Sequence, residues 1–165
     1  MKVPFVTLLG NHDTLSNGKD VYRAMFGDFD YTFDYGGIRF VCVNANQREF
    51  PGESVPDLDW LARASAPGQD VAGVIALSHQ TLKRPHHLEV LAGNGVLAAI
   101  SGHTHRFDLA LTQGVLLAVT ATAMDGAWLL IQVDGTQIAV SQCTDSSCTP
   151  LEAREQESEQ DGEAA

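Results

Sequence analysis

The chain has 165 residues, with 21 acidic side chains against 10 Lys and Arg and a formal charge of −11. Apolar residues make up 44%, which suits one globular domain and leaves too little chain for two of ordinary size. Patterned apolar runs exclude disorder throughout, no run of about 18 apolar residues offers a membrane span, and the acidic balance argues against nucleic acid or an anionic membrane surface as main partner.

Val3 to Leu9 is a short apolar run and reads as a buried strand. The loop Gly10-Asn11-His12-Asp13 follows it. Lys19 to Phe26 shows helical spacing at Val21, Met25 and Phe26. Tyr31 to Tyr35 alternates with period two, and Gly36-Gly37 followed by Ile38 to Asn44 completes a hairpin with a two-residue turn. Residues 45–54 read as polar loop. Ser54-Val55-Pro56-Asp57 reads as a helix start with Ser54 as N-cap. The helix runs from Pro56 to Ala64 and buries Leu61 with Leu58 or Trp60.

Val71 to Leu77 is an apolar strand ending at Ser78-His79. Pro85 opens a helix to about Ala92, which Gly93-Asn94-Gly95 closes. Val96 to Ile100 is a strand that delivers Ser101-Gly102-His103-Thr104-His105. From there the pattern is a β-meander: Asp108–Leu111, Val115–Ala121, Ala127–Val133 and Thr136–Ser141, with turns at Gln113-Gly114, Asp125-Gly126 and Asp134-Gly135. Strand–helix alternation followed by consecutive strands predicts an α/β fold of two packed sheets with helices outside.

Residues 1–141 are expected to form that domain, and 142–165 a Cys-bearing linker and disordered acidic tail. Residues 152–165 hold six acids and one base, so they carry −5 of the −11. With no aromatic or β-branched residue, this tail cannot offset the entropy of ordering. Cys42 lies in an apolar run and reads as a buried small hydrophobe. Cys143 and Cys148 either close a small loop as a disulfide or stay two surface thiols. The start has no signal-peptide layout, so the chain as written reads as cytoplasmic, with export open if a signal peptide lies upstream of Met1.

Three of the six histidines share one property. His12, His79 and His103 each follow an apolar strand, in a loop bearing Gly or Ser. Strand C-termini of an α/β sheet converge on one edge, where such folds place ligands. His12, His79 and His103, with Asn11 and His105, are therefore expected in one crevice. Imidazoles and an amide oxygen are donors suited to Zn, Mn, Fe or Co. His103 and His105 point the same way only in an extended segment. His86 and His87 follow Lys83-Arg84-Pro85 and are expected in an exposed cap region.

Gly10-Asn11-His12-Asp13, then His79, then Gly102-His103-Thr104-His105, resembles the calcineurin-like metallophosphoesterases. Their pattern is D-x-H, G-D-x-x-D, G-N-H-D/E, H and G-H-x-H in that order. Tyr31 to Phe40 is similar to the family hairpin after G-N-H-D, and Asp59-Trp60-Leu61 to its next helix. The resemblance spans roughly residues 3–140. It implies a two-sheet sandwich flanked by helices and a hydrolase of phosphate esters built on two divalent metal ions. By motif, Asn11, His79 and His103 resemble ligands of one metal and His105 a ligand of the other. His12 resembles the histidine that contacts the phosphate and protonates the leaving oxygen, and Asp13 the acid that orients it.

D-x-H and G-D-x-x-D are absent: the nine residues before Gly10 contain no Asp, Glu or His. The domain is thus expected to be N-terminally truncated, leaving a sheet edge unpaired for possible association. One metal position keeps three neutral ligands and the other keeps one. The chain as written is expected to bind at most one metal weakly and to hydrolyse phosphate esters poorly or not at all. The alternative is a non-catalytic fold remnant or interaction module.

Overall fold

The computed structural model describes residues 5–156. Its elements in chain order are α1 (Gly18–Phe26), β1 (Tyr31–Tyr35), β2 (Ile38–Cys42), α2 (Leu58–Ala64), β3 (Gly73–Leu77), α3 (Pro85–Gly93), β4 (Ala98–Ser101), β5 (Asp108–Thr112), β6 (Val115–Val119), β7 (Trp128–Asp134), β8 (Gln137–Cys143), β9 (Cys148–Pro150) and β10 (Arg154–Glu155). Seven strands form one sheet in the order β1-β2-β3-β4-β6-β5-β10, and β7-β8-β9 form a second. The predicted α/β architecture of two sheets with helices is present.

The β1–β2 hairpin turns through Gly36 and Gly37, at φ of 60° and 79°. A two-residue turn with positive φ at both positions matches strand twist, and glycine adopts it without a Cβ clash. β2, β3, β4 and β6 then run parallel. Helices α2 and α3 connect successive parallel strands. They pack Leu61, Leu88 and Leu91 onto Val41, Val74, Ala76, Ala99 and Leu117. The alternate residues of the same strands, Ile38, Ile75, Ala98 and Ala118, face the other way. There Val133, Ile138, Leu129, Ile131 and Val140 of the small sheet cover them. Period-two alternation therefore sorts one set of strands between helices and a second sheet.

Five expectations differ from the structure. The strand over Val3–Leu9 does not form: residues 5–10 are irregular, and residues 3 and 4 lie outside the described ones. Among the described residues no strand pairs with this segment. Side chains bind its main chain instead. Tyr31 Oη donates to Thr7 O (2.6 Å) and Asn46 Nδ2 to Leu9 O (2.7 Å). The α2 cap is Asp57 rather than Ser54, because Asp57 Oδ1 accepts the Trp60 N–H (2.9 Å) and so satisfies a free donor of the first turn.

The meander is split. β5–β6 and β7–β8 are antiparallel hairpins as expected, but β6 pairs with β4 and the chain then crosses to the second sheet. The expected linker adds strands to both sheets: Cys143 pairs opposite Cys148 and is bonded to it as a disulfide, and β10 runs beside β5 with Arg154 paired to Asp108. Residues 157–165 of the expected tail lie outside the described residues. Cys42 is buried, as expected.

A small aromatic core sits below the site loops. Tyr22, Phe29 and Phe50 pack with Leu9, with Phe29 edge-on to Phe50 at 5.6 Å. Above it, Asn46 is fully buried and Asn44 nearly so. Asn44 Oδ1 accepts from both Asn46 N and Asn46 Nδ2 (3.1 and 3.0 Å), and Asn44 N–H donates to Asp30 Oδ1 (2.6 Å). This network ties the Leu9 carbonyl to the end of β2. Asn46→Ala removes the donor from a shielded carbonyl, so the unfolding free energy is expected to fall by about 1–3 kcal/mol in urea melts. An unchanged midpoint would show that the amide holds nothing.

His87 corrects the expected exposed cap region. His86 is exposed, but His87 is 4% exposed and its Nδ1 has no partner. Burial, then the charges of His86 and Arg84, lower its pKa from 6.5 to about 4. The unfolded chain takes this proton near 6.5 and the folded chain only near 4. Stability from the neutral ring is therefore whole above that window and lost as pH falls through it, by up to about 3 kcal/mol. Urea melts between pH 7 and 4 are expected to show this loss, and His87→Phe to remove that part of the slope.

Candidate functional site

The parallel register sets the site. β3 and β4 pair with Leu77 opposite Ile100, so their C-terminal ends lie side by side and release Ser78-His79 and Gly102-His103 onto the same edge. Two main-chain bonds lock the loops together: Ser78 N–H to Ile100 O (3.1 Å) and Gly102 N–H to His79 O (3.1 Å). Asn11 arrives from the segment that Asn46 holds. It begins a short 3-10 turn, Asn11–Thr14.

The three side chains meet. His79 Nε2 is 2.9 Å from Asn11 Oδ1 and 3.2 Å from His103 Nδ1, with the two rings edge to face at 5.0 Å. Gly10 gives room to the Asp13 carboxylate: a Cβ there would lie 3.0 Å from Asp13 Oδ2, while its 3.6 Å to the His79 ring would be ordinary contact. Burial, then the neighbouring His103 ring, hold His79 below the ordinary imidazole value. His12 adds to that lowering, while Asp13 and Glu49 oppose it. A neutral imidazole keeps its lone pair for a metal ion.

The other predicted residues stand around this cluster. His12 is exposed, close enough for its charge to act on His79. Asp13 Oδ2 accepts the Gly10 N–H (2.8 Å), which closes the loop. Among the described residues no hydrogen bond joins Asp13 to the His12 ring. The Gly102–His105 segment is bent rather than extended. His103 and His105 have φ of 65° and 60°, a left-handed conformation that non-glycine residues adopt at a cost and that concentrates at functional sites. His105 is exposed and makes no hydrogen bond or ring contact with the cluster.

The donor set fits one divalent cation. Asn11 Oδ1, His79 Nε2 and His103 Nδ1 are lone-pair donors of the borderline type that Zn, Mn, Fe or Co accept. A carboxylate is what the cluster lacks. Among the described residues no three His, Cys, Asp or Glu side chains gather closely enough to hold an ion.

Sequence reasoning missed two contributors in residues 44–50. Asn46 positions the Asn11 loop, and Glu49, in the 3-10 turn Gln47–Glu49, keeps Oε2 buried without a partner. The polar composition of this stretch pointed to solvent. The buried Phe50 beside it was the one available signal that the loop turns inward.

The fold has solved counterparts. Purple acid phosphatase PPD1 from yellow lupin (Lupinus luteus) seeds superposes with a TM-score of 0.56 at 13% identity, over 81% of this chain and 33% of that one. GAP50, described as the anchor in the inner membrane complex of Plasmodium, gives 0.57 at 13% identity, over 91% and 61%. This chain thus spans about a third and three fifths of those proteins, and at such identity the likeness is one of fold. No curated protein matches the sequence. The family model for calcineurin-like phosphoesterases matches residues 1–107, a stretch that contains Gly10-Asn11-His12-Asp13, His79 and Gly102-His103-Thr104-His105, and the chain belongs to that family.

Proposed function

We propose that Asn11, His79 and His103 bind one divalent metal ion and that the site is of the phosphate-ester hydrolase type. The observation that carries this is the meeting of three lone-pair donors around His79 Nε2. A bound cation supplies Lewis acidity toward a phosphate oxygen. The chain's own residues do the rest. His79 and His103 present imidazole rings from adjacent strand ends, and Asn11 adds an amide oxygen from a loop closed by Asp13. His12, exposed next to Asn11, is the candidate to meet the phosphate and give a proton to the leaving oxygen. His105 is the candidate ligand for a second ion.

Three neutral donors hold a dication weakly, because nothing among them offsets its charge. The chain by itself is therefore expected to bind a single equivalent of Mn or Zn weakly and to turn over phosphate esters slowly or not at all. Isothermal titration with each metal, alongside a p-nitrophenyl phosphate assay, checks this. His79→Ala is expected to abolish the binding. Two tight sites with ordinary turnover would overturn the proposal.

A second reading keeps the fold as an interaction module. α1 leaves Val21, Met25 and Phe26 exposed. Apolar side chains grouped on one helix mark association surfaces. GAP50, which shares the fold, is described as an anchor. Under this reading sedimentation shows concentration-dependent association that Met25→Glu with Phe26→Glu removes. A monomer at all concentrations counts against self-association.

A further inference from the structure

The starts of α2 and α3 share one pocket. Asp57, Leu58 and Asp59 from the first and His86 and His87 from the second line it, together with residues of the 47–56 loop. Its volume is about 500 Å³, within the range of small-molecule sites. None of its lining residues belongs to the Asn11, His79 and His103 cluster, so this is a separate place on the fold. His87 is its most informative wall. The residue is 4% exposed and its Nδ1 has no hydrogen-bond partner. Protein covers the rest of the side chain, so the pocket is its open side. A polar group seated there can return the hydrogen bond that burial took from the ring.

The walls set the chemistry of the occupant. They carry two carboxylates, Asp57 and Asp59, and no Lys or Arg. The ion pairs among the described residues, Arg39–Asp34 and Arg154–Asp108, include neither acid. Asp57 accepts the Trp60 N–H on Oδ1, which leaves Oδ2 for a ligand. Burial, then the charges of His86 and Arg84, hold the His87 pKa down at about 4, so at neutral pH this ring adds no charge that would repel a cation. A bare dication is not the match, because among the described residues no three His, Cys, Asp or Glu side chains gather closely enough to hold one. Val55, Pro56 and Leu58 give the pocket an apolar wall, which suits a short hydrocarbon. We infer that the pocket binds a small amino alcohol, with its ammonium on Asp57 and Asp59, its carbon chain on Val55, Pro56 and Leu58, and its hydroxyl on the His87 ring. An ammonium presents donors only, and its bonds to carboxylates are of the stronger, charge-assisted kind. A hydroxyl both donates and accepts, so it serves either tautomer of His87.

Amide NMR spectra of the full chain, titrated with aminobutanol, test this, with butanediol as the uncharged counterpart and butylamine as the one without a hydroxyl. Aminobutanol is expected to shift the amides of residues 57–59 and 86–87 to saturation, and butanediol at the same concentrations to leave them in place. Asp59→Asn changes an exposed residue beyond the Asp57 cap and is expected to weaken aminobutanol binding about 10-fold, the loss of one charge-assisted hydrogen bond. His87→Phe keeps a ring in the wall and is expected to weaken aminobutanol by a similar factor while leaving butylamine unchanged. A His87 that serves packing alone predicts the same change for both amines, which would overturn the inference. Equal binding of butanediol, shifts confined to the loops of His79 and His103, or no saturable shift with aminobutanol would overturn it as well. None of these outcomes bears on the metal-binding reading, which the metal titrations decide.

Discussion

Parallel pairing of β2, β3 and β4 is the constraint on which the rest depends. Parallel neighbours must end on the same side, and their return connections must cross the sheet. The ends of β2, β3 and β4 deliver Asn44 and Asn46, Ser78 and His79, and Ser101, Gly102 and His103 to one edge. Helices α2 and α3 supply the crossings and, with Leu61, Leu88 and Leu91, the packing that fixes the register. A slip of one residue in β3 against β4 would exchange the side chains packed under the helices with those packed under the second sheet and separate His79 from His103. Core packing and site geometry are thus one specification.

Asn11 reaches the same edge by other means. Its segment contributes no strand, so main-chain pairing cannot place it. Hydroxyl and amide groups do so: Tyr31 on Thr7 O, Tyr22 beside Thr7 Oγ1, and Asn46 on Leu9 O. Such contacts hold single points rather than a continuous ladder. The loop is accordingly anchored at Thr7 and Leu9 and closed by Asp13 on Gly10, while Phe5 and Val6 stay exposed. A polar network this deep is effective only when every member is paired, which Asn44 and Asn46 achieve through each other and Asp30.

Strand ends, turns and the histidine loops were legible in the sequence because each is local. Period two, Gly-Gly turns and strand-end histidines need only neighbouring residues to read, and the β1–β2 hairpin, β3, α3 and β4 follow from them. Features that depend on a distant partner were not legible. Val3–Leu9 reads as a strand on hydropathy alone, but a strand exists only with a neighbour to pair. Val115–Ala121 looked like the middle of a meander because nothing local announces its pairing with β4. His87 and Glu49 looked solvated because polarity was read as exposure, and tertiary packing decided otherwise.

A formal charge of −11 would by itself promise carboxylates for a cation. Around the site the acids are already engaged with main-chain donors. Asp13 holds Gly10 N–H, Asp30 holds Asn44 N–H and Asp57 holds Trp60 N–H. Each closes a loop or starts a helix, and each contributes to the geometry of the edge rather than to its ligand set. That distribution explains a neutral cluster in an acidic protein. It also explains why Glu49 stands apart, since its turn takes its hydrogen bonds through the main chain and leaves the carboxylate Oε2 buried and unpaired. The electrostatics of this edge are therefore decided by which acids have a backbone donor to bind, not by how many the chain contains.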